Sequence, residues 1–165
     1  MKEETKHVRP SWDEYFMKIS EVVGERATCD RGRSGCVIVK DKRMLVTGYV
    51  GAPAGVAHCD EAGHEMHTVV QDDGTQSKHC IRTTHAEQNA IANAARKGVA
   101  VEGGTLYCHM TPCYTCAKIL INSGIRRIVA LKDYHAGTRS KEVFKEAGVE
   151  FVLLKNETET YSNMK

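Results

Sequence analysis

His85-Ala86-Glu87 and, further along, Pro112-Cys113-Tyr114-Thr115-Cys116 offer an imidazole, two thiols and a carboxylate. Imidazole and thiolate are donors that suit Zn²⁺, and three protein ligands leave one tetrahedral position open for water. Such a water is acidified towards neutrality, and Glu87, not needed as a ligand, is the group placed to move its proton. The chemistry these residue types predict is metal-assisted hydrolysis. H-x-E or C-x-x-C alone is a common chance match, but the two in this order, each opening a predicted helix, are not. Two blander readings compete. One is a closed structural zinc site with Glu87 or another Cys as fourth ligand. The other is a redox C-x-x-C, which would have no use for His85 and Glu87.

The elements that must position these groups follow from periodicity. Ser11 reads as an N-cap before the acidic Asp13 and Glu14. Trp12, Tyr15, Phe16, Ile19, Val22 and Val23 then recur at helical spacing, predicting a helix over roughly 11–25. Cys36 to Val39 and Met44 to Tyr49 read as a strand pair joined across Asp41-Lys42-Arg43. Between Val50 and Thr84 the pattern is lost. Gly51, Pro53, Gly55, Gly63 and Gly74 interrupt this stretch, and His58, Cys59, His64, His67, His79 and Cys80 crowd it. A structureless loop of that length is unusual in a compact domain, and the Cys/His content suggests what holds it.

From Ala86 a regular alternation resumes. Helices over Ala86 to Lys97, Tyr114 to Ser123 and Ser140 to Ala147 are each closed by a glycine, Gly98, Gly124 and Gly148. Strands over Thr105 to His109, Arg126 to Leu131 and Val149 to Leu154 separate them. This pattern predicts an α/β fold of three α/β/α layers, with a mixed sheet of about five strands, helices on both faces and parallel later strands. In such a sheet neighbouring helices start on the same side, so His85 and Glu87 can meet Cys113 and Cys116. Helix N-termini also favour thiolate over thiol. Residues 1–165 read as a single domain whose polar end, 156–165, is expected to fray.

Bulk properties narrow the function. The net charge of +2 rests on 23 basic and 21 acidic residues, too balanced for a nucleic-acid track yet compatible with a small anionic substrate. No apolar run approaches the ~20 residues of a membrane span. The polar start, Met1 to His7, lacks the apolar stretch of a secretory signal. Seven cysteines, an odd number, then point to a reducing compartment and metal ligation rather than disulfides. A cytoplasmic protein is expected.

Besides the two zinc motifs, the chain carries Cys29-Asp30-Arg31, the run from Thr47 to Gly55, His58-Cys59-Asp60-Glu61 and His79-Cys80-Ile81-Arg82-Thr83. With these segments it resembles the deoxycytidylate (dCMP) deaminases of the cytidine-deaminase superfamily over nearly its whole length. The resemblance implies hydrolytic deamination of dCMP to dUMP, the precursor of dTMP, with Glu87 moving protons beside a zinc on His85, Cys113 and Cys116. It also implies a homohexamer in the cytosol (a host's, if the source is a virus), activated by dCTP with Mg²⁺ accompanying the effector and inhibited by dTTP. Some members hold a second, structural zinc. The matching set here is Cys29, Cys59, Cys80 and His64, with His79 in reserve; the competing reading is free thiols beside surface histidines. Cys36 and Cys108 read as small buried hydrophobes, and His58 and His67 as surface residues.

One departure concerns Val50, where the family often has an Asn that helps hold the sugar. Valine has no side-chain donor or acceptor, so either the backbone of Gly51 and Ala52 serves, or the sugar preference differs. For the phosphate, Arg26 is the first choice and Arg31 the second of the Arg26, Arg31 and Arg33 cluster. Tyr134, at a strand's carboxyl end, is placed to stack on the base or reach the phosphate. His135, Thr138 and Arg139 share its loop. Runner-up readings are a deaminase of dCTP or of a modified dCMP and, from another class, a non-catalytic zinc-containing nucleic-acid-binding module. The balanced charge and Glu87 argue against the last.

Overall fold

The computed structural model describes residues 7–70 and 74–159. Helix α1 (Trp12–Gly24) starts on a capping box in which Ser11 and Glu14 each satisfy the other's backbone N–H. Strands β1 (Gly35–Lys40) and β2 (Arg43–Tyr49) form a hairpin. Its turn is the pair Asp41 and Lys42, both at positive φ, while the predicted turn residue Arg43 already belongs to β2. Positive φ at both central residues matches the right-handed strand twist, which is why this turn tolerates two non-glycine residues in a strained region.

The 50–84 stretch is not structureless. It contains a one-turn helix α2 (Cys59–Ala62) and a separate hairpin, β3 (Met66–Val70) with β4 (Gln76–Cys80). Then follow α3 (Ala86–Lys97), β5 (Thr105–Met110), α4 (Tyr114–Asn122), β6 (Arg127–Tyr134), α5 (Thr138–Glu146), β7 (Glu150–Leu153) and β8 (Thr158–Glu159). The predicted α/β alternation is present, with β6 running three residues further and α5 starting two residues earlier than expected. The end predicted to fray is partly ordered, because Thr158 and Glu159 pair with Asp133 and Tyr134; residues 160–165 lie outside the described part.

The main sheet runs β2-β1-β5-β6-β7, with β8 added at the end of β6. β1 is antiparallel to β2 and β5, whereas β5, β6 and β7 are parallel. Strand alternation separates two cores. Val37, Val39, Tyr107, Val129 and Leu131 meet Phe16 and Met17 of α1 on one face. On the other, Cys36, Ile38, Leu106, Cys108, Ile128 and Ala130 meet Ala86, Ala90 and Ala94 of α3, Ala117 and Leu120 of α4 and Phe144 of α5. Right-handed β–α–β crossovers moving the same way across a sheet place their helices on one face, as α4 and α5 are, so among the described helices α1 covers the other face alone.

Two glycines set how closely the helices approach. A Cβ on Gly48 would lie 2.1 Å from the Ala86 carbonyl oxygen, so only glycine lets α3 press onto β2. A Cβ on Gly35 would lie 2.3 Å from the Gly24 nitrogen, which closes α1 onto β1.

α1 is also pinned by charge. Arg127 Nη1 and Nη2 donate to the two oxygens of Asp13 at 2.7 and 2.9 Å, and the Tyr107 hydroxyl donates to Asp13 Oδ1 at 2.8 Å. The Arg127 guanidinium holds the Asp13 carboxyl below its ordinary 3.8, against the opposing effect of burial. A depressed folded-state pKa stabilises the fold above the unfolded value and loses that contribution as pH falls through the folded one. Asp13→Asn should therefore lower unfolding free energy by about 1–3 kcal/mol at pH 7. In urea titrations the gap to wild type should close below pH 3.8; a gap that persists there would refute the charge's role.

Candidate active site

The functional side chains gather at the carboxyl ends of β2, β5 and β6, where open α/β sheets place their ligands. Gly51, just past β2, bridges Thr84: Gly51 N–H donates to Thr84 O at 3.3 Å and Thr84 N–H donates to Gly51 O at 2.9 Å. This bridge brings the start of α3 back beside the end of β2. Asn89 Nδ2 donates to Tyr49 O at 2.7 Å one turn later, and Gln88 Oε1 accepts from the His85 N–H at 3.0 Å. His85 is thereby fixed as the N-cap of α3, and Glu87 falls in its first turn. Cys113 is the N-cap of α4 and Cys116 lies in its first turn.

The two helix starts meet. His85 Nδ1 lies 3.5 Å from Cys113 Sγ and 3.4 Å from Cys116 Sγ. For a tetrahedral zinc, bond lengths of about 2.0–2.1 Å to nitrogen and 2.3 Å to sulfur require a ligand-to-ligand edge of about 3.6 Å. The spacing and the donor types fit zinc. The Cys113 thiol falls to about 4, chiefly through its hydrogen bond with Cys116 and then His85, despite burial. The imidazole of His85 rises to about 9 beside Cys113. Cys116 is pushed up by Cys113 and by burial. Glu87 is 9% exposed, and burial raises its carboxyl above 4.5. Cys36 and Cys108, directly paired across β1 and β5, are fully buried thiols raised by burial, as expected of small core residues.

A cleft of ≈ 120 Å³ opens over His85, Glu87 and Cys113, with Cys116 buried behind them. Its wall includes Val50, Ser34, Thr83, Met110, Thr111 and Tyr134, and its more exposed side includes Arg31, Lys78 and His79. Of the residues assigned to the substrate by sequence, Arg31 and Tyr134 line the cleft. Arg26 does not: it follows α1 with an exposed side chain, its N–H donating to Val23 O. Gly51 and Ala52 are not in the lining either, and both backbone groups of Gly51 are committed to Thr84. Val50 faces the cleft with its own N–H and carbonyl paired to Ser34 and Thr28.

A second group forms beside the first. Cys29, Cys59, His64 and Cys80 place one ligand atom each within 4.8 Å of one another. Cys29 Sγ is 3.6 Å from His64 Nδ1, and Cys59 Sγ is 3.6 Å from Cys80 Sγ. These are again tetrahedral edges, and four donors close the coordination shell. The Asp30 carboxylate takes the other ring nitrogen of His64 at 2.9 Å, which orients Nδ1 inward. Cys80 falls to about 7 because backbone hydrogen bonds at Arg82 and Glu65 outweigh burial, while burial and Cys80 lift Cys59 to about 12. His79, the reserve ligand, instead faces the cleft, with its Nε2 2.8 Å from Ser77 Oγ. His58 is not merely a surface residue: its Nδ1 lies 3.0 Å from Thr28 Oγ1, whereas His67 is exposed.

Sequence reasoning missed Asp133 and Thr111. Thr111 Oγ1 donates to Asp133 Oδ1 at 2.7 Å, Tyr134 N–H donates to the same oxygen at 2.9 Å, and Lys141 Nζ donates to Oδ2 at 2.7 Å. Burial tends to raise the Asp133 carboxyl, but Lys141 and Thr111 outweigh it and hold it below 3.8. Asp133 thus ties Thr111, two residues before Cys113, to the end of β6 that carries Tyr134. An aspartate at a strand's carboxyl end was the available signal. Asp133→Ala should weaken zinc retention against a competing chelator by about tenfold or more; unchanged zinc affinity would reduce Asp133 to a fold contact.

Comparison with known proteins agrees with this arrangement. The profile of the family described as "Cytidine and deoxycytidylate deaminase zinc-binding region" matches residues 10–132. ComE operon protein 2 of Bacillus subtilis is 40% identical over 141 residues, 86% of this chain and 70% of that protein. Deoxycytidylate deaminase of Saccharomyces cerevisiae is 37% identical over 142 residues, but this chain spans only 44% of its length. The crystal structure of the dCMP deaminase of cyanophage S-TIM5 in complex with dCMP and dUMP superposes with a TM-score of 0.70 at 27% identity, covering 89% of this chain and 99% of that one. With its helix starts bringing His85, Cys113 and Cys116 to zinc-like spacing beside a buried Glu87, the chain belongs to the cytidine and deoxycytidylate deaminase family.

Proposed function

We propose that the protein hydrolyses dCMP to dUMP and ammonia, with Glu87 as proton carrier and His85, Cys113 and Cys116 as ligands of a catalytic zinc. The observation that carries this reading is the buried carboxylate beside an open-sided trio of soft ligands at the floor of a cleft. A bound zinc would supply an acidified water. The chain's own contribution is proton management. Burial keeps the Glu87 carboxyl basic enough to accept the proton of the water that attacks C4 and to deliver it to N3. The second water proton then passes to the departing amino group, the C4–N4 bond breaks, ammonia leaves and C4 keeps its oxygen as the uracil carbonyl.

Ser34 and Thr83 line the cleft with Val50 and are hydroxyls available to a sugar, whereas the Thr111 hydroxyl is donated to Asp133. Tyr134 is the aromatic wall for the base, and Arg31 is a cation within reach of a phosphate. The set Cys29, Cys59, His64 and Cys80 would hold a second, structural zinc. On the resemblance set out above, we extend the reading to a cytoplasmic homohexamer feeding dTMP synthesis, activated by dCTP with Mg²⁺ and inhibited by dTTP. No helix among the described residues is long and apolar enough to cross a membrane.

The direct test is ammonia release from dCMP, deoxycytidine, CMP and dCTP, each with and without dCTP and Mg²⁺ as effector. Turnover of dCMP above the others supports the reading, and turnover of CMP as fast as dCMP would move the sugar preference, as Val50 invites. Glu87→Gln should keep its zinc and lose about 10²–10⁴-fold in kcat; a rate near wild type would remove Glu87 from the chemistry. Cys59→Ser should lower the zinc content by one equivalent while leaving the ion on His85, Cys113 and Cys116. An unchanged metal count would refute the second site.

A further inference from the structure

Strand β6 outruns its neighbours. Its pairing with β7 stops at Ala130 and Leu153, and its pairing with β5 stops at Lys132 and Met110. Asp133 and Tyr134 lie beyond both ends, and Tyr134 is a wall of the cleft. The chain after β7 supplies the missing partner. The N–H groups of Leu154 and Lys155 donate to Ala130 O and Leu131 O, each at 2.9 Å, and Asp133 N–H donates to Glu157 O at 2.8 Å. Thr158 then pairs with Asp133, and Glu159 with Tyr134, as β8. Residues 154–159 thus form a strap along the end of β6. Among the described residues, neither core includes one from the strap, and a two-residue strand holds little by itself.

The strap is fastened by a carboxylate. Glu159 Oε2 is buried, 3.1 Å from Lys132 Nζ and 3.5 Å from His109 Nε2. Lys132 Nζ also lies 3.6 Å from Glu157 Oε2. One side chain therefore joins the strap to β6 and, across it, to β5. Ion pairs shielded from water are screened much less than exposed ones, so this clasp outlasts ordinary salt. We infer that Glu159 is a positioning residue: by clasping the strap to Lys132 and His109 it fixes the backbone at Tyr134, and so the angle at which that ring meets a bound pyrimidine. The inference rests on the reading that the cleft takes a cytosine nucleotide, with Tyr134 as the wall for its base. On the β5 side the end of β6 is braced by the bond from Thr111 to Asp133, and the strap braces it on the β7 side. A wall held from both sides meets the base already ordered, which spares the cost of ordering it on binding.

The test pairs two measurements on the zinc-loaded protein: amide hydrogen exchange at Asp133, whose N–H the strap holds, and calorimetric binding of the product dUMP. Glu159→Ala should speed that exchange and weaken dUMP, each by about three- to tenfold, with the zinc content unchanged. Glu159→Gln keeps the length of the side chain without its charge and should fall between Glu159→Ala and wild type. In a Tyr134→Ala background, Glu159→Ala should still speed exchange yet cost no further affinity, because its effect on the ligand passes through that ring. A second loss of affinity there, equal to the first, would make Glu159 a general fold contact. Unchanged exchange or unchanged affinity in Glu159→Ala alone would also overturn the positioning role, although the proposed reaction would stand. If wild type does not bind dUMP, the nucleotide reading fails and the role of Glu159 goes with it.

Discussion

One requirement organises this protein: an imidazole from one helix start must come within about a metal's edge length of two sulfurs from another. His85 and the two cysteines meet it at 3.4 and 3.5 Å, although 27 residues separate His85 from Cys113. Nothing in α3 or α4 alone fixes that distance. It is set by how closely each helix lies on the sheet, and the packing residues are small. Ala86, Ala90 and Ala94 recur along the inner face of α3, Ala117 plays the same part in α4, and Gly48 removes the last side chain from beneath α3. Small residues bring backbones close. The Gly51–Thr84 bridge and the Asn89 contact to Tyr49 then lock α3 along its axis.

The same tight packing creates the electrostatics. A carboxyl beneath the ligand trio, walled by two buried thiols and a layer of alanines, has little water around its charge. Burial raises the Glu87 carboxyl above its ordinary range. A proton carrier benefits from this shift, since a carboxylate in free water would be too weak a base. Asp133 shows the opposite solution nearby: a carboxylate surrounded by three donors stays ionised and serves as a brace.

How much was legible in the sequence follows from where each element finds its stability. Strands β1, β5 and β6 bury both faces, so their apolar runs announced them, and the glycines closing α3 and α4 marked their ends. The β3–β4 hairpin gave no such sign. Its strands, Met66–Val70 and Gln76–Cys80, are mostly exposed and contribute nothing to either core, so no period-2 pattern was needed. Cys80 at its end was visible, but not the ribbon it closes. β8 was hidden for a related reason: two residues paired through backbone leave no compositional trace. Among site residues, the types that do chemistry were readable from spacing, whereas Thr111 and Asp133 are ordinary residues brought to the site only by the fold. Arg26 misled because a place just before the first strand is not a place in the cleft: it follows the end of α1 with an exposed side chain.

These differences expose a division of labour. The sheet and the helices packed on it fix the ligand trio and Glu87 through backbone contacts and close packing, which need no metal to explain them. The 50–84 insertion has too little buried apolar surface to fold by the same means. It is held at one end by the Gly51–Thr84 bridge and in its middle by Cys59, His64 and Cys80 gathered with Cys29. A segment ordered by four side chains rather than by a core can vary in sequence without disturbing the catalytic floor. The cleft accordingly joins a floor fixed by the sheet, at His85, Glu87 and Cys113, to a rim of Arg31, Lys78 and His79 carried by the segments that the second cluster gathers.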